Sequence, residues 1–189
     1  MPVGISARHI HLSLEHMEML FGKGHKLTPI KELMGGQYAA QETLTLAAIG
    51  GSIEKVRVLG PLRKKSQVEV SATDARSLGI TPPVRESGDL SGSAPITLLG
   101  PKGTVHLSEG CIIAKRHIHL PPGQGYKDGD LVSVRIQGSR GLIFDNIKIR
   151  VDPTFTPEMH IDTDEANACG IKNFERAVII CSSAGSQDA

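Results

Sequence analysis

The 189-residue chain predicts a mainly β fold: two pseudo-repeated small β-barrel domains capped by short α-helices. Three observations predict it. Glycine (21) and proline (11) are plentiful, which favours turns and short strands over long helices. Apolar and polar residues alternate through much of the chain. The pentapeptide Arg8-His9-Ile10-His11-Leu12 recurs as Arg116-His117-Ile118-His119-Leu120, 108 residues downstream.

The alternation predicts strands over Leu44–Ile49, Ser52–Leu59, Ser66–Val70, Ile96–Leu99, Cys111–Leu120, Leu131–Ile136, Leu142–Val151 and Ala177–Cys181. Gly138–Gly141 reads as a hairpin turn and Lys127–Asp130 as another turn. Ser13 can cap a helix whose face carries Leu14, Met17 and Phe21, with Gly22 ending it. Thr28-Pro29 starts a second short helix through Leu33, stopped by Gly35-Gly36. Two more short helices are expected, Thr73–Leu78 before Gly79 and Asp164–Cys169 before Gly170.

A second, weaker repeat places Val68–Ile80 on Met159–Ile171, 91 residues on. The two offsets differ by 17, so the first half carries a helical insertion, assigned to about residues 13–34. The expected domain plan is residues 1–80 for the first half and 96–181 for the second. Residues 81–95, with three Pro, two Gly and three Ser, form the expected linker. Residues 182–189 are small and polar and are expected to be a disordered tail.

On a strand, residues i and i+2 share a face, so His9 and His11 project together, as do His117 and His119. Imidazole is the commonest side-chain metal ligand, and packing alone gives no reason to place the same pair twice. The 91-residue offset sets Glu69 against His160, nominating each as a third ligand. The expected metal sets are His9, His11, Glu69 and His117, His119, His160. Three protein ligands leave one coordination position open, the mark of a catalytic zinc site. Two Zn²⁺ per chain suit these donors best, with Co²⁺, Ni²⁺ and Mn²⁺ as alternatives. Cys111 and Cys169 read as small buried apolar residues. His16, His25 and His106 lack partners at ligand spacing.

Arg63, six residues before Glu69, presents a planar fork suited to a phosphate oxyanion, whereas Lys64 and Lys65 read as solvated charges. Lys and Arg (21) balance Asp and Glu (20), and Tyr 2, Phe 4 and Trp 0 leave few aromatics. Both facts argue against nucleic acid as a partner. No P-loop, dinucleotide fingerprint or nucleophile elbow is present. Three cysteines without paired spacing, no signal segment and no long apolar run predict a cytoplasmic protein with no membrane partner.

The chain resembles the PduL-type phosphotransacylases, also called phosphate propanoyltransferases. The resemblance lies in Val3–Ser13, Arg57–Arg63 through Val70, Ala114–His119 and Met159–Asn167. It implies two capped β-barrel domains, a two-zinc site and a homodimer. It also implies that Arg63 holds phosphate and is catalytic, and that Ser6, Arg57, Leu59, His160 and Asn167 contact coenzyme A. Relatives that work in bacterial microcompartments often carry an N-terminal targeting segment. This chain starts almost at its first His motif, so it reads as a cytosolic member or one whose segment was removed; microcompartment association is the alternative location.

The expected reaction interconverts a short-chain acyl-CoA (propanoyl-CoA or acetyl-CoA) plus phosphate with acyl phosphate plus CoA. Phosphate attacks a zinc-polarised thioester directly. The rival readings are a dinuclear zinc hydrolase and a metal-binding protein without catalysis.

Overall fold

The computed structural model describes residues 1–182. In chain order its elements are β1 (Val3–Ser6), β2 (His9–His11), α1 (Leu14–Phe21), β3 (Pro29–Glu32), a 3-10 turn at Met34–Gly36, β4 (Tyr38–Ala48), β5 (Gly51–Gly60), β6 (Gln67–Glu69), α2 (Ala72–Leu78), β7 (Val84–Arg85), β8 (Ala94–Leu99), β9 (Thr104–Ala114), β10 (His117–Leu120), β11 (Leu131–Ile136), β12 (Leu142–Val151), β13 (Glu158–Asp162), α3 (Thr163–Cys169) and β14 (Ala177–Ser182). Of the expected tail, Ser182 closes β14 and the rest lies outside the described residues. Among the described residues no helix is long and apolar enough to cross a membrane.

Two compact units form, one from Ala7–Ala114 and one from Met1–Ser6 together with the chain from Lys115 onward. In the first unit β4, β5, β2, β6 and β9 lie side by side, and β8 pairs with both β4 and β9, closing six strands into a barrel. Its core holds Ile10, Leu46, Val58, Val68, Leu78, Ile96 and Leu98. In the second unit the order is β1-β13-β10-β12-β11-β14, and a bridge from Pro2 to Arg176 brings the two edges of the curled sheet together. Its core holds Val3, Ile118, Ile136, Ile147, Ile149, Met159 and Ile161.

Six strands of the first unit, β8-β4-β5-β2-β6-β9, repeat the order β14-β11-β12-β10-β13-β1 of the second, and β3 and β7 are additions to the first. The His-bearing strand β2 runs antiparallel to β6 and parallel to β5; β10 runs antiparallel to β13 and parallel to β12. The registers match residue by residue. His9 sits opposite Glu69 and Arg57, and His117 sits opposite His160 and Lys148. Glu69 pairs with Ile112 of β9, and His160 pairs with Gly4 of β1. The strand before each His motif therefore serves the other unit: β1 completes the second sheet, and β9 completes the first.

The compact units thus divide at Ser6/Ala7 and Ala114/Lys115, not within residues 81–95. That stretch carries β7 and the start of β8, both paired with β9. Its Pro, Gly and Ser residues make turns that fold back on one barrel. The expected single strand Cys111–Leu120 is divided for the same reason, since the chain changes units between β9 and β10.

The insertion begins as expected. Ser13 Oγ accepts from the His16 N–H at the start of α1, and Gly22 ends the helix at φ 105°. The expected helix over Thr28–Leu33 is instead β3, an exposed edge strand on β4. Glu42 of β4 captures the N–H and hydroxyl of Thr28, and this tertiary pairing overrides the local helical reading. After β6 and β13, α2 and α3 carry matching caps: Ser71 with Asp74, and Asp162 with Glu165, each a reciprocal capping box. Both end on glycines at φ 67°, Gly79 and Gly170, a left-handed conformation costly for other residues.

Candidate metal centres

In the first unit Ile10 points into the core, so period-2 geometry turns His9 and His11 to the opposite face. Val68 and Val70 enter the same core and leave Gln67 and Glu69 on the face of the histidines. His9 Nε2 lies 3.4 Å from Glu69 Oε2, and His11 Nε2 lies 4.0 Å from Glu69 Oε1. One donor atom from each of the three residues falls within 4.8 Å of the others.

The tautomer of His9 follows from its partner. Nδ1 is 2.9 Å from the Ala7 carbonyl, which can only accept, so Nδ1 carries the proton and Nε2 is left with its lone pair toward Glu69. Glu69 is held in turn: Gln67 Nε2 donates to its Oε1 at 2.6 Å and to Ser87 Oγ at 2.9 Å, while the Gly88 N–H orients the Gln67 amide at 2.8 Å. Burial works against the Glu69 charge, but the two imidazoles and Ser87 outweigh it and hold the carboxyl far below its ordinary range. Burial also opposes charge on His9, yet Glu69 outweighs it and draws that pKa up. His11, buried beside His9 and Arg63, is pushed down to about 3.

In the second unit the ring centroids of His117 and His119 are 4.7 Å apart, those of His119 and His160 4.7 Å, and those of His117 and His160 5.1 Å. His117 Nδ1 donates to the Lys115 carbonyl at 2.9 Å, the same two-residue reach as in His9. Burial, with Arg150 nearby, pushes His117 down to about 3. Burial, with His160 and Arg150, pushes His119 down to about 4. The buried Nδ1 atoms of His11 and His119 make no hydrogen bond. Three imidazoles in one set, and two imidazoles with a carboxylate in the other, fit a divalent transition metal.

Arg63 also belongs to the first unit. Its N–H donates to the Leu12 carbonyl at 2.8 Å, and its guanidinium donates to Ser87 Oγ at 3.0 Å and Gln37 Oε1 at 3.4 Å. Ser87 thus links Arg63 to the Gln67–Glu69 pair. Lys64 and Lys65 are exposed. Arg57 and Leu59 are half-buried on β5, and Arg57 donates to the carbonyls of Ala40 and Gln41. Ser6 and His160 lie half-buried on β1 and β13, and Asn167 is exposed on α3.

Cys111 is buried with its thiol pushed up to about 12, and Cys169 is buried within α3. His16, His25 and His106 bond Ser66, Glu42 and Thr97 and stand apart from both triads. Gln67, Ser87 and Glu158 were not legible as site residues. Glu158 occupies the repeat position of Gln67, pairs in register with His119, and brings Oε1 to 3.6 Å from His160 Nε2. Gly4 makes room for it, since an added Cβ would fall 2.2 Å from that oxygen.

Comparison with known proteins finds one family over most of the chain. A family model described as phosphate propanoyltransferase matches residues 2–172. Phosphate propanoyltransferase of Lachnoclostridium phytofermentans is 60% identical over 175 residues, covering 90% of this chain and 82% of that protein. The Thermotoga maritima phosphate propanoyltransferase is 53% identical over 184 residues, 94% and 88% of the two chains. The Salmonella typhimurium phosphate propanoyltransferase is 52% identical over 178 residues, 91% and 84%. Matched by that family model over residues 2–172 and by relatives up to 60% identical, the chain belongs to the phosphate propanoyltransferase family, a family of phosphate acyltransferases.

Proposed function

We propose that this chain interconverts propanoyl-CoA or acetyl-CoA plus phosphate with the acyl phosphate plus CoA. The observation that carries the reading is the linkage, within one unit, of Arg63 to the His9–His11–Glu69 triad through Ser87 and Gln67. An oxyanion-binding fork beside a divalent-cation donor set suits an anionic nucleophile and a carbonyl oxygen that gains negative charge as it is attacked.

Arg63 orients the phosphate. One phosphate oxygen bonds to the thioester carbon, the carbon–sulfur bond breaks, and the electron pair leaves on the CoA sulfur. A thiolate is a weak base, so no general acid has to protonate it. His9, His11 and Glu69 would hold a divalent ion, zinc in this reading, whose chemistry there would be Lewis-acid polarisation of the thioester carbonyl. Gln67 holds Glu69 in place, and the Ala7 carbonyl keeps the His9 lone pair directed inward. Positioning of this kind lowers barriers by roughly 7–11 kcal/mol in ideal cases.

The reading includes a second zinc at His117, His119 and His160, coenzyme A contacts from Ser6, Arg57, Leu59, His160 and Asn167, a homodimer and a cytoplasmic location. The test is thiol release from propanoyl-CoA and acetyl-CoA with and without phosphate, alongside elemental analysis of the purified protein. Phosphate-dependent release with two zinc per chain supports it. Thiol release without phosphate identifies a hydrolase, and bound zinc without turnover a binding protein.

A further inference from the structure

We propose that Arg8 and Arg116 are positioning residues, each of which fixes the tautomer of the histidine that follows it. The inference rests on the reading of both triads as metal sites. Arg8 donates from Nε and Nη2 to Asp74 Oδ1 at 2.9 and 2.7 Å. Arg116 donates from Nη1 to Glu165 Oε1 at 2.7 Å. Its Nε and Nη2 reach the Asp145 carbonyl at 3.2 and 2.9 Å. The two arginines are 108 residues apart and their acidic partners 91 apart, the offsets of the histidines and of the third ligands.

The acids are equivalent in role as well as position. Asp74 and Glu165 are the capping-box residues of α2 and α3, the helices that follow the strands bearing Glu69 and His160. Each arginine therefore ties the strand of the first two ligands to the helix behind the third.

The peptide plane just before each arginine is the one that matters. The Ala7 carbonyl shares its plane with the Arg8 N–H, and the Lys115 carbonyl shares its plane with the Arg116 N–H. Those carbonyls accept from His9 Nδ1 and His117 Nδ1, both at 2.9 Å. They also sit where the chain changes units, so no long strand pairing holds them. Anchoring the arginine aims the carbonyl, the carbonyl holds the proton on Nδ1, and Nε2 is left as donor. The Arg8 side chain is 44% exposed but its partner Asp74 only 6%, so Gln, which can still donate to that carboxylate, is the substitution that separates positioning from stability.

The test uses Arg8→Gln and Arg116→Gln in the full chain. Each is made in the parent and in a background where the other triad is disabled by paired His→Ala changes. Zinc affinity is read by competition with a chromophoric chelator. Imidazole tautomers are read by ¹⁵N NMR of the metal-stripped protein. Arg8→Gln is expected to weaken zinc only at the His9 triad, about 10–100-fold, and to move part of the His9 proton population to Nε2; Arg116→Gln does the same only at the His117 triad. The thermal midpoint of the stripped protein stays near that of the parent. Parent-like affinity and tautomers in both variants overturn the proposal, as does equal loss from both sites with a lowered midpoint. If the parent binds no zinc, the metal reading fails, while the tautomer readout still decides whether the arginines position the rings.

Discussion

His9 Nε2 and Glu69 Oε2 face each other across 3.4 Å, with the His9 proton held on the far side of the ring by Ala7. A lone pair against a carboxylate repels unless a cation lies between them. In metal-free protein the Glu69 carboxylate favours a proton on Nε2 over a bare lone pair, which is why the His9 pKa is drawn up. A divalent ion takes that place and displaces whatever fraction of the proton Nε2 carries. Glu69→Gln keeps the shape and removes the charge. It is expected to lower zinc affinity at this triad by at least tenfold and to reduce the proton release on binding seen by calorimetry in two buffers. Unchanged affinity removes Glu69 from the ligand set.

Arg63→Ala is expected to raise the KM for phosphate or lower kcat strongly while the metal content stays that of the parent. Arg63→Lys should recover little, because an ammonium lacks the planar fork that Ser87 and Gln37 help to orient. Steady-state rates against phosphate concentration decide it. A parent-like profile excludes Arg63 from the reaction.

In the metal-stripped protein His117 and His119 stay neutral down to about 3 and 4, whereas in the unfolded chain they titrate near the ordinary 6.5. Between those values the unfolded chain binds more protons than the folded one. Their contribution to stability is therefore present above pH 6.5 and is lost as pH falls toward 4. Urea midpoints of stripped protein at a series of pH values should drop across this window. The drop should be shallower in a His117→Gln/His119→Gln variant.

Ile10 and Ile118, each 0% exposed, separate the paired histidines and anchor their strands in the two cores. Truncation of either to Ala should cost about 2–5 kcal/mol in denaturant unfolding and loosen the ligand strand above it. Ile→Val at the same positions should cost about 0.5–1.5 kcal/mol.

The repeat was legible because two imidazole pairs on alternating strands leave a rigid spacing in the sequence, and the offsets carried Glu69 onto His160. The register confirms that match, since Glu69 and His160 stand opposite His9 and His117. The exchange of β1 and β9 between units was not legible, because a strand's partner is fixed by long-range pairing that leaves no local mark. Ser87 was hidden in a Pro-, Gly- and Ser-rich stretch that reads as a linker until its hydrogen bonds to Arg63 and Gln67 are seen. Gln67 and Glu158 share one repeat position, 91 residues apart, but differ in charge, so the match between them was weak. The arginines of the pentapeptide stood in plain sight. Their role emerged only when Asp74 and Glu165 were found at the starts of equivalent helices.

The most direct measurement is the fate of the acyl group, followed by ³¹P NMR with propanoyl-CoA, phosphate and purified protein. The reading predicts an acyl phosphate resonance that grows in step with free CoA thiol and reverses when CoA is added in excess. Free propanoate with no acyl phosphate at any time would contradict it.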